Sequence, residues 1–376
     1  MYDFIVKNLD IIKEQTDKTF YIDQYRFTLL GEGTYGIVFK VIFKSNIFVI
    51  KIMKKMNDEH LKLKNLKSKI DKIESPKIKK MIDKYITRIE EIIINKTNQI
   101  IIFEYLDGGD LFDFLEKNEL IEEEDFFNII SKIIISITLL HNKLKISHRD
   151  LKPQNIFYNP KNKKLKLIDF GFACNLNDYS CYNRYQGTGR FFHPRMNQQK
   201  INNLNGGSLY GINTKKKNVY NNRFKSNKKN SNNIRFPKPR SQDIFAIIII
   251  ILNIYTYLDY DLNQEELILD RYLNDFFSPS LRINNRLTKI KKRLERKTLL
   301  FTNLKKINQN NITNPVISKL IELIKKYWNF KENNFILKKK DKSKTVFKNI
   351  FDICLENIKS RKNKKIFKGE RKIIDL

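Results

Sequence analysis

Side chains that could handle phosphate are concentrated in two short segments of this 376-residue chain. Residues 148–155 have the sequence HRDLKPQN, and residues 169–171 have the sequence DFG. Transfer of a phosphoryl group needs positioning and charge neutralisation more than covalent help from a protein. An aspartate such as Asp150 can position an acceptor hydroxyl, and a lysine such as Lys152 can neutralise the moving phosphate. The two segments therefore indicate phosphoryl-transfer chemistry.

Two further side chains in these segments have the oxygens that hard divalent cations prefer. They are the amide of Asn155 and the carboxylate of Asp169, and both are typical ligands of Mg²⁺. Aspartate and asparagine are common in turns, so neither residue alone is informative. The complete eight-residue segment followed by DFG is highly specific, and it predicts a Mg²⁺ site, with Mn²⁺ as the alternative metal.

A glycine-rich segment, residues 31–38 (GEGTYGIV), lies between two apolar, β-branched stretches. Glycines at these spacings allow backbone N–H groups to approach phosphate oxygens without interference from a Cβ. A dinucleotide-binding turn uses similar glycines but continues into a helix, whereas residues 37–43 continue as a strand. This favours a β-hairpin over nucleotide phosphates, with an ordinary glycine-rich turn as the alternative. Lys51 ends the next apolar strand, at a distance that allows it to meet the phosphates.

Hydrophobic periodicity supplies the elements that would position these residues. The longest apolar run, residues 244–258, is shorter than the roughly 20 residues that span a bilayer, so it predicts a buried core helix. Helices within residues 260–376 are not assigned to particular places in the fold. The predicted strands are 25–30, 37–43 and 47–52 with a hairpin at 91–103, and the predicted helices are 58–73, 111–117, 122–141, 243–258 and 316–328.

The chain resembles the eukaryotic protein kinase superfamily, because four signature elements occur in the family's order. These elements are the glycine-rich loop 31–38, Lys51 at the end of a strand, residues 148–155 and residues 169–171. Lys152 within DLKP, together with the later Gly187-Thr188, resembles the serine/threonine branch. The resemblance implies a two-lobed α+β fold, with a small β-rich N-lobe and a larger, mainly helical C-lobe.

The same resemblance implies a serine/threonine protein kinase that transfers the γ-phosphate of Mg-ATP to protein hydroxyls. Asp150 would be the catalytic base, Lys152 would touch the γ-phosphate, and Asn155 and Asp169 would bind Mg²⁺. Asp243 resembles the aspartate that anchors the catalytic loop. The residues implied to contact ATP are Gly31, Glu32, Gly33, Thr34, Tyr35 and Gly36 of the loop, Val38, Val49 and Phe157 around the base, Lys51 at the α/β-phosphates, the gatekeeper Phe103, Glu104 and Leu106 of the hinge, and Asp110 near the ribose.

The implied domain organisation has three parts. Residues 1–24 are an N-terminal extension, residues 25–355 are the kinase domain, and residues 356–376 are a basic, loosely held tail. Within the domain, the N-lobe is 25–103, the hinge 104–107 and the C-lobe 108–355, with an Asn/Lys-rich, disordered insert at about 197–238.

Two positions depart from the family's pattern. Counting back from Ser75-Pro76, the position of the glutamate that pairs with the strand lysine holds Leu66, and neither Glu59 nor Glu74 fits that register. We therefore expect either a shifted helix or an unpaired Lys51. The family's Ala-Pro-Glu is replaced by residues 193–195, which end in Arg195, so the family's buried ion pair is swapped or missing. Between this segment and Asp243, the long insert could tune substrate access, bind a partner, or be a tolerated surface insertion.

Arg149 beside Asp150 predicts regulation by a phosphate in the activation segment, 172–186. A phosphate there would give Arg149 a charge-assisted partner and would order the segment. The available acceptors are Tyr179, Ser180, Tyr182 and Tyr185.

The net charge of +32, from 73 Lys and Arg against 41 Asp and Glu, has two explanations. One is an anionic partner such as nucleic acid or a membrane surface. The other, which the abundance of Lys, Asn and Ile favours, is a codon bias. Two alternative functions stay open: a catalytically weak kinase-fold scaffold or nucleotide-binding module, and a basic nucleic-acid-binding protein. A basic groove would prefer acidic protein substrates.

The three cysteines, Cys174, Cys181 and Cys354, have neither disulfide-framework nor metal-site spacing. Such a set is typical of free thiols in a reducing compartment. The first ten residues show no signal-peptide pattern. We expect an intracellular, cytoplasmic protein without a membrane span, with the nucleus left open. The oligomeric state and the identity of the protein substrate are not predicted.

Overall fold

The computed structural model describes residues 2–15, 17–33, 36–54, 58–95, 97–117, 120–178, 187–194, 196, 239–258, 261–278, 286–329, 334–335 and 343–375. Five predictions therefore lie outside the described residues: Thr34, Tyr35, Arg195, the insert at 197–238 and the phosphate acceptors within 179–185. Within the described ranges, no helix combines the length and the apolar character needed to cross a membrane.

The N-terminal part is a six-stranded antiparallel sheet in the order β1-β2-β3-β4-β6-β5. The β2–β3 hairpin turns between Gly33 and Gly36, which pair with each other, and this confirms the predicted glycine-rich hairpin. The hairpin predicted at 91–103 is also confirmed. The strands are β1 (Thr19–Ile22), β2 (Tyr25–Gly33), β3 (Gly36–Phe43), β4 (Asn46–Lys54), β5 (Ile89–Ile94) and β6 (Asn98–Glu104).

The first residues of the chain share the core of this sheet. Helices α1 (Tyr2–Lys7) and α2 (Leu9–Glu14) bury Ile5, Leu9 and Ile12 in the same cluster as Phe27 and Phe39. The Phe4 ring stacks on Tyr25 with 4.0 Å between the centroids. Residues 1–24 thus contribute two helices and the edge strand β1 to the small lobe.

The second half of the described chain is mainly helical, which together with the sheet gives the predicted two-lobed architecture. Small antiparallel pairings, β7–β9–β10 and β8–β11, lie at its start. Two helices, α3 (Glu59–Asp71) and α4 (Pro76–Tyr85), lie between β4 and β5 in the chain. The elements that follow β6 are β7 (Gly109–Asp110), α5 (Leu111–Lys117), α6 (Glu123–Thr138) with a π-helical turn (Leu139–Lys143), β8 (Ile146–Ser147), a 3-10 turn (Pro153–Asn155), β9 (Ile156–Asn159), β10 (Lys164–Leu167), β11 (Cys174–Asn175), α7 (Pro239–Tyr255), α8 (Gln264–Phe277), α9 (Arg286–Lys306), a 3-10 turn (Gln309–Asn311), α10 (Pro315–Tyr327), β12 (Trp328–Asn329), β13 (Asn334–Phe335), α11 (Ser343–Asn357) and α12 (Arg361–Asp375).

Helix α7 passes through the core of the large lobe. Its apolar residues from Ile244 to Leu252 are all buried, as expected of a helix that is apolar on every side. The prediction of a buried core helix at 243–258 is therefore confirmed. It packs against α6 and the helices of the C-terminal third.

The expectation of a loosely held C-terminal tail is wrong. Helix α12 buries Phe367 and Ile374 in the main core. The Glu370 carboxylate accepts hydrogen bonds from the Tyr85 hydroxyl at 2.6 Å and from Lys84 Nζ at 2.8 Å, both on α4. The periodic apolar residues of this basic segment give it a face that packs on the lobe.

We expect Phe367→Ala to lower the free energy of unfolding by about 3 kcal/mol or more, because the buried ring would be replaced by a cavity. Ile366→Ala is the matched control, since Ile366 is on the same helix but 39% exposed, and it should change stability by about 0.5 kcal/mol or less. Urea-induced unfolding measures both. Equal effects of the two substitutions would contradict the docked helix.

Candidate active site

The Asp243 carboxylate, buried on α7, organises the loop that contains the predicted catalytic residues. Its Oδ2 accepts hydrogen bonds from the His148 backbone N–H at 2.8 Å and from the Ser147 hydroxyl at 2.7 Å. Its Oδ1 accepts one from the Arg149 backbone N–H at 2.8 Å. The Nε2 of His141 lies 2.8 Å from Oδ2. The anchoring role implied for Asp243 is therefore visible as four converging contacts.

The protonation states of this cluster follow from burial and from the hydrogen bonds. Burial lowers the pKa of His141, so the neutral imidazole donates from Nε2. Burial alone would raise the pKa of Asp243, but the hydrogen bonds from His141 and from the Arg149 backbone hold it below its ordinary value of 3.8. The stabilisation from this carboxylate is therefore complete above its unfolded pKa, and it is lost as the pH falls through the lower, folded pKa.

Immediately after this anchor, the loop places Asp150 beside two polar side chains, Asn155 and Lys152. Asn155 Nδ2 donates to the Asp150 backbone oxygen at 2.7 Å and to its Oδ2 at 3.1 Å. Lys152 Nζ lies 3.3 Å from the same Oδ2 and donates to the Thr188 hydroxyl at 3.1 Å. The other oxygen, Asp150 Oδ1, is buried and has no hydrogen-bond partner among the described residues. One carboxylate oxygen is thus held in place and the other is left as an acceptor.

Gly187 closes over this loop in a conformation that favours glycine. Its φ is +111°, and a Cβ there would lie 2.5 Å from the Arg149 backbone oxygen and 3.1 Å from Asp150 Oδ1. Any other residue would be strained by its backbone and would collide with the loop. The Gly187-Thr188 pair therefore brings the end of the activation segment into contact with the catalytic loop.

The partner of Lys51 is Glu59, so the expectation from counting, which gave Leu66, is wrong. Lys51 Nζ lies 2.7 Å from Glu59 Oε1 and 3.7 Å from Asp169 Oδ1. Leu66 is fully buried in the apolar core instead. Of the two alternatives that the sequence left open, the shifted helix is the one observed, because α3 begins at Glu59.

The two carboxylates around Lys51 set its charge state. Burial would lower the pKa of Lys51, but Asp169 and Glu59 raise it above its ordinary value. Burial would likewise raise the pKa of Asp169, but the Lys51 ammonium lowers it. Burial raises the pKa of Glu59. Lys51 is therefore a fixed cation at the end of β4.

Helix α3 is also tied to the large lobe. Lys62 Nζ donates to the Gly171 backbone oxygen at 2.7 Å, and Lys69 Nζ donates to the Leu144 backbone oxygen at 2.8 Å. Asn65 Nδ2 donates to Asn175 Oδ1 at 3.1 Å. Since α3 carries Glu59, these contacts hold the Lys51–Glu59 pair in place against the large lobe.

The predicted metal ligands are brought to the same place by backbone contacts. The Ile168 N–H donates to the Asn155 backbone oxygen at 3.0 Å, so Asp169 follows directly beside Asn155. Asp169 has a φ of +56°, and its side chain is 44% exposed. An anionic, accessible carboxylate next to an amide is a donor set that fits a hard cation such as Mg²⁺.

Gly171 leaves room for this arrangement. A Cβ at Gly171 would lie 3.1 Å from both Asp169 Oδ1 and Glu59 Oε2. A side chain here would therefore crowd the two carboxylates that surround Lys51. The glycine of the DFG segment is explained by this close approach.

The residues implied to surround the adenine base lie on neighbouring strands. Val38 pairs with Lys51, and Val49 pairs with Phe103. On the other lobe Phe157 pairs with Asp110. The chain between the lobes is irregular from Tyr105 to Gly108, at the predicted hinge. The glycine-rich loop joins two strands of the sheet: β2 ends with Gly31, Glu32 and Gly33, and β3 begins with Gly36.

Gly108 and Glu104 show how the hinge is fixed. Gly108 has a φ of +147°, and a Cβ there would lie 2.8 Å from the Phe157 ring. The Glu104 N–H donates to the Arg88 backbone oxygen at 3.2 Å, while the Glu104 side chain forms an ion pair with Lys166. The Glu104 N–H is therefore already used within the protein, and the contacts predicted for Glu104 and Leu106 with the adenine base stay a prediction.

We expect Asp243→Asn to lower the free energy of unfolding by about 2–4 kcal/mol, because its amide NH₂ would face buried donors and the charged acceptor would be lost. Asp275→Asn on α8 is the control, since Asp275 is exposed and should tolerate the change. Chemical denaturation monitored by circular dichroism distinguishes them. Indistinguishable midpoints would show that Asp243 does not anchor the loop.

Comparison with known proteins agrees with this geometry. Residues 25–205 match the family model of the protein kinase domain. Death-associated protein kinase 2 of Mus musculus is 31% identical over 194 residues, which are 50% of this chain and 51% of that protein. Calcium-dependent protein kinase 5 of Plasmodium falciparum is 31% identical over 43% of this chain and 27% of that protein. Serine/threonine-protein kinase cds1 of Schizosaccharomyces pombe is 30% identical over 47% of this chain and 39% of that protein.

The chain thus spans about half the length of the first of these relatives. The matched residues contain strands β2 to β6 of the sheet, the hinge, the Asp150 loop and the Asp169 segment, which are the parts that meet at the site. The resemblance predicted from the sequence is confirmed: residues 25–205 of the chain carry a protein kinase domain.

Proposed function

We propose that this chain is an active serine/threonine protein kinase that transfers the γ-phosphate of ATP to a hydroxyl of a protein substrate. The observation that carries the proposal is the environment of Asp150. One of its carboxylate oxygens is held by Asn155 and Lys152, and the other has no partner among the described residues. A substrate hydroxyl needs such an acceptor, oriented and free.

The surrounding residues provide the charge neutralisation that phosphoryl transfer requires. Lys51, fixed between Glu59 and Asp169, would hold the α- and β-phosphates. Lys152, held beside Asp150 and Thr188, would meet the γ-phosphate. Asn155 and Asp169 would hold Mg²⁺, or Mn²⁺, which when bound supplies further neutralisation of the phosphate oxygens. Asp150 would orient the hydroxyl and accept its proton.

The alternative of an inactive scaffold loses its main motive. That hypothesis depended on a missing partner for Lys51, and Glu59 fills the position. The other reason for the scaffold hypothesis, Arg195, lies outside the described residues.

Binding of nucleic acid stays a prediction from the net charge, and a steep loss of affinity with added salt would support it. An intracellular location is part of the proposal, because the sequence has only three cysteines and the buried Cys354 is not in a disulfide.

Transfer of labelled γ-phosphate to a generic protein substrate tests the proposal. We expect wild type to transfer phosphate with Mg²⁺ or Mn²⁺, and Asp150→Asn to reduce kcat about 100-fold or more, because the proton acceptor is lost. Asp71→Asn is the matched control, since Asp71 is exposed and is the last residue of α3. Absence of transfer by the wild-type protein in both metals would favour the scaffold.

Glu59→Gln should lower kcat/KM for ATP about 10- to 100-fold, because a charge-assisted hydrogen bond to Lys51 would be replaced by a neutral one. Glu74→Gln should change it less than about twofold, since Glu74 is exposed and lies beyond the end of α3. Steady-state kinetics with varied ATP measures both. The assignment of Glu59 fails if the two variants behave alike.

A further inference from the structure

Three arginines lie together where the chain continues after Thr188. We call these residues, Arg190, Arg293 and Arg296, the arginine patch. Arg190 is in the segment itself, while Arg293 and Arg296 are on helix α9. Arg190 Nη2 and Arg296 Nη1 both approach the Ser278 backbone oxygen, at 3.4 Å and 3.1 Å. A Cβ at Gly189 would overlap the Arg293 guanidinium, so Arg293 lies against the backbone of Gly189. The three cations therefore converge on one short stretch of chain.

This patch is close to the proposed catalytic aspartate. Lys152 bridges Asp150 and the Thr188 hydroxyl through contacts of 3.3 Å and 3.1 Å. Arg190 follows Thr188 by two residues, a span of at most about 7 Å in an extended chain. A peptide whose hydroxyl reaches Asp150 would therefore have its neighbouring residues within reach of the patch.

The segment beside the patch is anchored without any negative charge. Lys297 Nζ, fully buried, donates to the Gly189 backbone oxygen at 2.8 Å and to the Phe192 backbone oxygen at 2.6 Å. It also lies 5.8 Å from the centroid of the Phe245 ring. Neutral carbonyls and a ring face thus hold the lysine. Burial and the neighbouring Arg293 lower the pKa of Lys297 well below its ordinary value, and no carboxylate is needed to hold it.

The charges of the patch are not compensated by the part of the chain that the structure describes. No ion pair joins any of the three arginines to a described carboxylate. Burial lowers the pKa of Arg190, and the neighbouring Arg296 and Arg293 lower it further. All three side chains are half-buried, so water screens their repulsion only in part. An anion placed among them would relieve that repulsion.

The sequence around Arg190 contains no internal anion. From residue 179 to residue 242 there is no aspartate or glutamate, while the next carboxylate is that of Asp243, which is already used by the catalytic loop. Lysine and arginine are frequent over the same range: Arg184, Arg190, Arg195, Lys200, Lys215, Lys216, Lys217, Arg223, Lys225, Lys228, Lys229, Arg235, Lys238 and Arg240.

We propose that the arginine patch is a specificity subsite that binds an aspartate or glutamate of the protein substrate, located within about three residues of the phosphorylated hydroxyl. The inference rests on the proposed kinase function and adds the class of substrate to it. Guanidinium groups suit this task because they bind carboxylates with paired, charge-assisted hydrogen bonds. The predicted preference for acidic substrates is thereby located at three residues instead of being ascribed to net charge.

A set of serine peptides tests the subsite, each with one aspartate at a different position and with a neutral parent peptide. We expect wild type to phosphorylate the best acidic peptide with a kcat/KM at least about tenfold above that of the neutral parent, the value of a good charge-assisted pair. The double variant Arg293→Gln/Arg296→Gln should reduce this preference to about twofold or less. It should leave kcat/KM for the neutral peptide within about threefold of wild type.

The matched control is Lys291→Gln/Lys292→Gln, which removes the same charge from exposed positions on the same helix. It should keep the acidic preference, whereas a loss equal to that of the arginine variant would show that only net charge matters. Thermal unfolding of both variants confirms that they fold. If the arginine variant fails to fold, Arg190→Gln replaces it with the same expected loss.

Three outcomes would overturn the subsite. Transfer by wild type without any acidic preference would remove it while the proposed function stands. If kcat/KM of the arginine variant falls equally for acidic and neutral peptides, the patch orders the activation segment instead of binding the substrate. It could do so, for example, by holding a phosphate attached to this chain. If wild type transfers no phosphate at all, anisotropy of fluorescein-labelled acidic and neutral peptides decides the question separately. In that assay, acid-dependent binding that the arginine variant loses sustains the subsite, and its absence overturns it.

Discussion

A single buried carboxylate, that of Asp243, determines where the catalytic loop lies. It accepts hydrogen bonds from the backbone N–H groups of His148 and Arg149 and from the Ser147 hydroxyl. Arg149 is thereby held at a φ of +69°, a conformation that costs energy for a non-glycine residue. The hydrogen bonds offset that cost and fix the backbone that leads into the next residue, Asp150. The geometry of the proposed catalytic aspartate therefore depends on a helix of the core.

The Lys51–Glu59 pair connects this fixed loop to the small lobe. Lys51 is on β4 and Glu59 begins α3, while Asp169 approaches Lys51 from the large lobe. The same helix donates lysine hydrogen bonds to Gly171 and Leu144. Because one ammonium shares carboxylates from both lobes, movement of α3 would separate charges that burial makes costly to leave unpaired. The described arrangement is thus one in which both lobes contribute to a single charge cluster.

The sequence predicted most of this site because its chemistry lies in contiguous segments: residues 31–38, 148–155 and 169–171 are each local, and the strands between them are rich in β-branched and aromatic residues. Glu59 was missed for a physical reason. The count started from Ser75-Pro76, but Ser75 caps helix α4, accepting a hydrogen bond from the Ile78 N–H at 3.4 Å, and Pro76 occupies its first turn. Both are typical signals of a helix start. Because Ser75-Pro76 begins helix α4, counting back from it gave the wrong register for α3.

The end of the activation segment shows why a missing signature residue need not mean a missing function. The family's glutamate is replaced by Arg195, which the structure does not describe, yet the segment just before it is held by Lys297 through the backbone oxygens of Gly189 and Phe192. Sequence patterns could not reveal this, because backbone carbonyls are present at every residue. The substitution has an electrostatic consequence. An anchor made of a lysine and neutral carbonyls brings no carboxylate to this place, so no anchoring carboxylate competes with the proposed acidic substrate for the arginines around Arg190.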